Sequence, residues 1–214
     1  MARTGVFVTL EGIDGCGKST QASLLVDALR AAGHEVVALR EPGGTPISEK
    51  IRALLLDPAH AEMAPECALL LYEASRAQLV RQVIQPALEH GAVVVCDRFF
   101  DSTYGYQYGG RGLSEQLVKT CNELGSCGVS PTRTIVFDLA PECALQRATK
   151  GGADRIEAEG LAFQQRIREA YLRLAAQEPQ RVHLVDAVGT PEEVFARLAD
   201  ALRDLFGTLE GGEA

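Results

Sequence analysis

The sequence predicts an α/β fold in three layers, a five-stranded and mostly parallel sheet flanked on both sides by helices. Short runs that are apolar on both faces recur along the chain, and such strands belong to sheets covered on both sides. They alternate with segments whose apolar residues fall at helical spacing. Of the 214 residues, 46% are hydrophobic and 23% charged, so the chain has the material for a buried core rather than disorder.

The elements follow in order. Val6–Leu10 is the first apolar run and stops at Glu11-Gly12. From Ser19 onward, Leu24, Leu25, Ala28 and Leu29 recur at helical spacing, and Gly33 closes that helix. Val36–Leu39 reads as the second strand, followed by a loop at Glu41-Pro42-Gly43-Gly44-Thr45. Ile47–Leu56 and Glu66–His90 read as helices, and Ala92–Cys96 as a third strand ending at Asp97-Arg98. Thr134–Leu139 and Val182–Val185 complete the sheet. Further helices are expected near Ser114–Leu124, Pro141–Thr149, Ala158–Gln177 and Pro191–Leu205. The pattern fits one domain over residues 1–206. Lys150–Asp154 interrupts two helices and suggests a short lid at about residues 148–157, and 207–214, with three glycines, reads as a flexible tail.

Charge and cysteines narrow the partners. Lys plus Arg total 21 and Asp plus Glu 29, so 21 − 29 gives −8. That balance argues against duplex nucleic acid, whose binding rests on releasing counterions from many phosphates. It leaves room for a local cationic pocket. None of the six cysteines forms C-x-x-C, and the nearest pair, Cys121 and Cys127, lies six apart, so zinc spacing is absent. With no signal peptide recognisable at the N-terminus, scattered thiols point to a reducing compartment, and the cytoplasm is the expectation. Apolar runs such as Ala92–Cys96 are too short to cross a bilayer.

The chemistry concentrates after the first strand. Gly12-Ile13-Asp14-Gly15-Cys16-Gly17-Lys18-Ser19 fits G-x-x-x-x-G-K-[ST], the phosphate-loop pattern, and it lies between a strand and a helix as that pattern requires. Gly12, Gly15 and Gly17 permit turns that aim successive N–H groups at an anion. The helix start adds its positive dipole end. Lys18 can reach the β- and γ-phosphates of a nucleotide, and the Ser19 hydroxyl can ligate magnesium. The fold expectation sharpens to a P-loop NTPase. Asp97 sits at a strand's carboxyl end, where open α/β sheets place ligands; it either orients magnesium, directly or through water, or caps the following helix. Arg98 either grips a phosphate with its planar fork or serves structure.

Arginines recur in or near predicted loops and helix ends at positions 40, 52, 76, 98, 147 and 155, which favours two anionic substrates brought together. A phosphate acceptor needs no base, because its second pKa is about 6 and it is largely dianionic at pH 7. Catalysis then reduces to alignment and charge neutralisation.

Four segments make the pattern specific. Glu11–Gln21 (EGIDGCGKSTQ), Arg40–Thr45 (REPGGT), Asp97-Arg98 with Ser102-Thr103 and Tyr106-Gln107, and Asp154-Arg155-Ile156-Glu157 resemble bacterial thymidylate kinases in order and approximate spacing. The resemblance spans about residues 6–205. It implies transfer of the γ-phosphoryl group of ATP, with Mg2+, to thymidine monophosphate (dTMP) in dTTP biosynthesis, by a homodimer with no nucleic-acid or membrane partner.

The resemblance also implies roles position by position. The phosphate loop through Thr20 would hold ATP, with Gly12, Gly15, Cys16, Gly17, Lys18 and Ser19 at its phosphates. Arg147 would stack on the adenine. Asp14 would lie near the acceptor sugar and phosphate, Pro42 beside the deoxyribose, and Arg52 and Arg98 on the acceptor phosphate. Arg76 would hydrogen-bond the thymine edge. Tyr72, one helical turn earlier, stands where the family usually stacks the base on phenylalanine, so it is either a stacking ring or a core aromatic. Thr103, Tyr106 and Gln107 would complete the pocket, supported by Ser102. Some relatives carry an essential cation in the phosphate loop and others in the lid. Positions 13–16 hold no basic residue, so the lid supplies it here, through Lys150 or Arg155. Cys16 is either a redox-sensitive thiol beside Lys18 or a small filler.

Competing readings are a kinase for another nucleotide or for a nucleoside, a GTPase-like switch, and a structural interaction protein. Guanine recognition uses N-K-x-D, and the single asparagine, Asn122, is followed by Glu123. The last reading leaves the phosphate loop without a purpose.

Overall fold

The computed structural model describes residues 5–148 and 159–209. Five parallel strands, β1 (Val6–Glu11), β2 (Val36–Arg40), β3 (Val93–Asp97), β4 (Arg133–Asp138) and β5 (Val182–Asp186), form one sheet in the order β2-β3-β1-β4-β5. All five lie where the apolar runs place them, shifted by a residue or so at the ends.

Period-two alternation splits the sheet's faces between two cores. Phe7, Val94 and Cys96 face Leu79, Val80 and Ile84, while Val8, Leu10, Val93 and Val95 face the opposite layer with Leu25, Leu29, Ile167 and Leu198. The register pairs Phe7 with Val94 and Val8 with Val95, so same-face neighbours stack across strands. Each fully buried side chain of this size contributes roughly 1.5–3 kcal/mol. The inner strands are apolar on both faces because both are covered. The edge strands β2 and β5 are half open, and Leu184 is exposed.

The helices are α1 (Lys18–Ala31), α2 (Pro46–Leu56), α3 (Pro65–Leu79), α4 (Gln85–Glu89), α5 (Phe100–Thr103), α6 (Glu115–Gly125), α7 (Pro141–Ala148), α8 (Leu161–Gln177), α9 (Pro191–Ala201) and α10 (Arg203–Phe206). Three differences from the sequence reading have physical causes. The segment expected as one helix over Glu66–His90 carries a π turn at Val80–Ile84, just before Pro86, whose ring and missing N–H break the i→i−4 ladder. The last helix is divided at buried Leu202.

The third difference is a helical segment the sequence did not signal. α5 runs on into a π-helical stretch over Tyr104–Gly110, rich in residues of weak helix propensity. Packing holds it: a Cβ at Gly109 or Gly110 would come within 2.5 Å of Ala170 or the Phe163 ring of α8. This segment carries much of the site below. The expected lid at residues 148–157 falls almost wholly outside the described residues, as does most of the 207–214 tail.

Candidate active site

The site lies outside the carboxyl ends of β1, β2 and β3. β1 stops at Glu11 and the chain turns through the phosphate loop into α1. Gly17 starts the helix at φ 96°, in the left-handed region that a Cβ resists. Lys18 is buried and curls back, its Nζ donating to the carbonyls of Gly12 (3.1 Å) and Ile13 (2.9 Å). Cys16 is buried beneath it, with Sγ 3.7 Å from the same Nζ. That burial favours the small filler over an exposed redox thiol.

β3 lies beside β1 with Asp97 opposite Leu10, which brings Asp97 against the start of α1. The Ser19 hydroxyl donates to Asp97 Oδ2 at 2.7 Å, whereas Asp97 Oδ1 is buried and accepts no hydrogen bond among the described residues. α5 is preceded by Phe99 with no side-chain cap, so Asp97 is not its N-cap.

Arg98 adopts φ 74°, unusual for a side-chain-bearing residue, and the turn swings its guanidinium over the phosphate loop. It donates to Gly12 O (3.2 Å), Ser102 Oγ (3.1 Å), Tyr106 Oη (3.0 Å) and Asp14 Oδ1, and its Cζ lies 4.9 Å from the Tyr106 ring centre. Asp14 Oδ2 accepts from Tyr106 Oη at 2.8 Å. Burial pushes the Asp14 carboxyl up, but the charges of Arg98 and Lys18 outweigh it and hold the group below its ordinary value.

Arg76 is 2% exposed. It donates from Nε to Glu41 Oε2 (2.8 Å), from Nη1 to Glu73 Oε1 (2.6 Å) and from Nη2 to Thr103 Oγ1 (3.0 Å). A guanidinium has five N–H donors, so among the described residues one on each terminal nitrogen is left over for a ligand. Two carboxylates around one cation leave an excess negative charge, and burial raises the Glu41 carboxyl to about 7 in spite of Arg76. Thr45 caps α2, accepting from Ser48 N at 3.1 Å, and Ser48 Oγ donates to Ser75 O of α3 at 2.9 Å. That joint sets Arg52 of α2, whose Nη1 donates to Pro42 O at 2.9 Å.

Two concavities result. An inner cavity of about 220 Å³ is lined by Asp14, Pro42, Arg52, Tyr72, Arg76, Arg98, Ser102, Thr103, Tyr106 and Gln107, every residue expected on the acceptor side. Gln107 is buried in its wall, with a side-chain oxygen that makes no hydrogen bond among the described residues. An outer cleft of about 760 Å³ is lined by Gly15, Cys16, Gly17, Lys18, Ser19, Thr20 and Asp97. Its far wall is Ala187, Gly189, Pro191 and Val194, tied to α1 by Gln21 Nε2 donating to Pro191 O at 2.9 Å. Asp14, Glu41, Arg52 and Arg98 line both, so the two spaces meet between two guanidinium groups. Gly12 lies beneath the loop rather than in the cleft lining. Arg147 belongs to α7, and Lys150 and Arg155 lie outside the described residues.

Several participants went unassigned in the sequence. Glu11 and Glu41 stand inside the matched EGIDGCGKSTQ and REPGGT segments, and Glu73 follows Tyr72, but no local spacing says what they hold. The far wall of the cleft carries one weak signal, its position after a strand's carboxyl end.

The thymidylate kinase family model matches residues 10–198. A thymidylate kinase of Trichlorobacter lovleyi is 47% identical over 204 residues, covering 92% of this chain and 96% of that protein. One from Pseudomonas putida strain W619 is 50% identical over 206 residues, covering 96% and 98%. The crystal structure of thymidylate kinase from Ehrlichia chaffeensis superposes with a TM-score of 0.77 at 30% identity, covering 92% of this chain and 98% of that one. With its sheet order, its phosphate loop and these matches over nearly its whole length, the chain belongs to the thymidylate kinase family.

Proposed function

We propose that the chain transfers the γ-phosphoryl group of ATP to thymidine monophosphate, giving thymidine diphosphate for dTTP synthesis, with magnesium. The observation that carries this reading is the junction of the two cavities at Asp14, Glu41, Arg52 and Arg98. A triphosphate in the cleft and a monophosphate in the inner cavity would point their phosphates at each other there. The acceptor dianion is already a nucleophile, so alignment and neutralisation carry the reaction.

Lys18 leaves the Gly12 and Ile13 carbonyls for the β- and γ-phosphates, joined by the main-chain N–H groups of the loop through Thr20. Ser19 and Asp97 would hold magnesium; two hard oxygen donors and an unengaged Asp97 Oδ1 fit an ion that takes few protein ligands beside phosphates and water. Bound there, magnesium supplies charge neutralisation at the phosphate oxygens. Arg98 and Arg52 hold the acceptor phosphate, and Asp14 with Tyr106 faces the sugar. Pro42 lines the deoxyribose side. Tyr72 stacks on thymine, while Arg76, Thr103 and Gln107 meet its polar edge. Arg147 covers the adenine, and Lys150 or Arg155 from the lid adds the cation missing from the loop.

We also propose a homodimer, supported by exposed Leu70 of α3 and exposed Leu117 and Leu124 of α6. A cytoplasmic location is supported by six free cysteines. Among the described residues no helix is long and apolar enough to cross a membrane.

An acceptor panel with coupled ADP detection tests the reaction. Thymidine monophosphate is expected to exceed the other nucleoside monophosphates in kcat/KM by on the order of 10² or more, because the remaining donors of Arg76 and the amide of Gln107 would be left unmatched by a different base edge. Thymidine without its phosphate is expected to be inert. Comparable turnover of another monophosphate or of the nucleoside would overturn the assignment.

A further inference from the structure

Glu11 is fully buried at the end of β1, and its carboxylate meets no wall of either cavity. Its Oε1 accepts from the main-chain N–H of Phe99 at 2.7 Å and of Ser102 at 3.2 Å. Oε2 accepts from Ser102 Oγ at 2.6 Å and from Tyr171 Oη at 2.8 Å. α5 lacks a cap of its own, so a carboxylate from another strand supplies it. Ser102 Oγ, fixed by Glu11, in turn accepts from Arg98 Nη1 at 3.1 Å. The residue between them, Phe99, directly follows the left-handed turn at Arg98.

We propose that Glu11 is a positioning residue for the acceptor side, its carboxylate holding the α5 turn and, through Ser102, the fork of Arg98 that faces the incoming monophosphate. This rests on the acceptor reading given above. A carboxylate accepts from donors more strongly than a neutral acid does, and a protonated Oε2 would have to donate to Ser102 or Tyr171 instead. The geometry therefore makes the arm sensitive to one proton.

The charged and titratable groups around Glu11 set when that proton arrives. From the β3–α5 segment come Asp101 and Arg98, from α8 Tyr171, and from the end of β2 Glu41. Burial first, then Asp101, pushes the Glu11 carboxyl from 4.5 to about 7, against Arg98 and the hydrogen bonds. The direction gives opposite signs for stability and function. A carboxyl raised in the folded state binds a proton more readily there than in the unfolded chain, so its contribution to stability is lost as pH rises through about 7. The ionised form that tightens the acceptor arm is the form that costs the fold.

The test is Glu11→Gln, assayed with thymidine monophosphate and ATP from about pH 6 to about pH 8.5. Acceptor ionisation is common to both proteins and cancels in their ratio. At alkaline pH the variant's KM for the acceptor is expected to rise about fivefold or more while its KM for ATP stays within about twofold. The ratio is expected to approach one at acid pH, where wild-type Glu11 is itself protonated. The variant's melting temperature is expected to fall less than the wild type's as pH rises. A ratio constant across pH, or an unchanged KM, would overturn the proposal. Should Glu11→Gln not fold, Tyr171→Phe carries the test: losing one donor to Oε2 is expected to move the acid limb to higher pH, and an unmoved limb would overturn it. A wild type that does not turn over thymidine monophosphate would overturn the reading of the site, and the role of Glu11 with it.

Discussion

The outer cleft and the inner cavity, proposed for donor and acceptor, adjoin, yet they are built on different principles. The phosphate-loop side of the cleft is one contiguous stretch, Asp14–Gln21, whose main-chain N–H groups and single lysine need only the right turn. The cavity is made of side chains from five separated segments, held by the buried ion pairs of Arg76 with Glu41 and Glu73 and by the half-buried pair of Arg98 with Asp14. A triphosphate is recognised by its charge, which a generic loop supplies. A particular base and sugar need polar groups at fixed places, and burying those groups requires partners for each.

The difference sets what each side loses when one residue is removed. Lys18→Ala is expected to lower kcat by on the order of 10² to 10³, since the charge proposed to neutralise the transferring group is gone. Its melting temperature should change little, because Lys18 leaves behind two main-chain carbonyls, Gly12 and Ile13, that can accept from water. Steady-state kinetics and a thermal melt on the same sample check both halves. A melting loss as large as that of the next variant would erase the contrast between the two sides.

Arg76→Ala is expected to be smaller in kcat and larger in stability. Glu41 and Glu73 would be left buried without their cation, at a cost of about 3–5 kcal/mol less whatever protonation of Glu41 recovers. The acceptor KM should rise, and discrimination between bases should narrow. Denaturant unfolding and the acceptor panel sharpen the comparison, and an unchanged base preference would move Arg76 out of the pocket's recognition.

The same contrast explains how much the sequence disclosed. The inner strands were legible because β1, β3 and β4 are buried on both faces and so are mostly apolar, with Thr9 and Thr134 hydrogen-bonded to each other. The cleft was legible because its chemistry is local spacing. The acceptor residues were reached through resemblance, and all of them line the inner cavity. What holds them was not legible: Glu11 finds Ser102 across 91 positions, and Glu41 finds Arg76 across 35. No periodicity encodes such pairs. The segment Tyr104–Gly110 stayed unread for a related reason, since its glycines suit the face of α8 rather than any local preference.

The central claim is that two nucleotide sites open into each other at Arg52 and Arg98. A single ligand joining adenosine to deoxythymidine through a short polyphosphate tests it most directly, by calorimetry with magnesium. Binding at least about 10² times tighter than either nucleotide alone is the expected result. Affinity no better than that of ATP or thymidine monophosphate by itself would contradict the account.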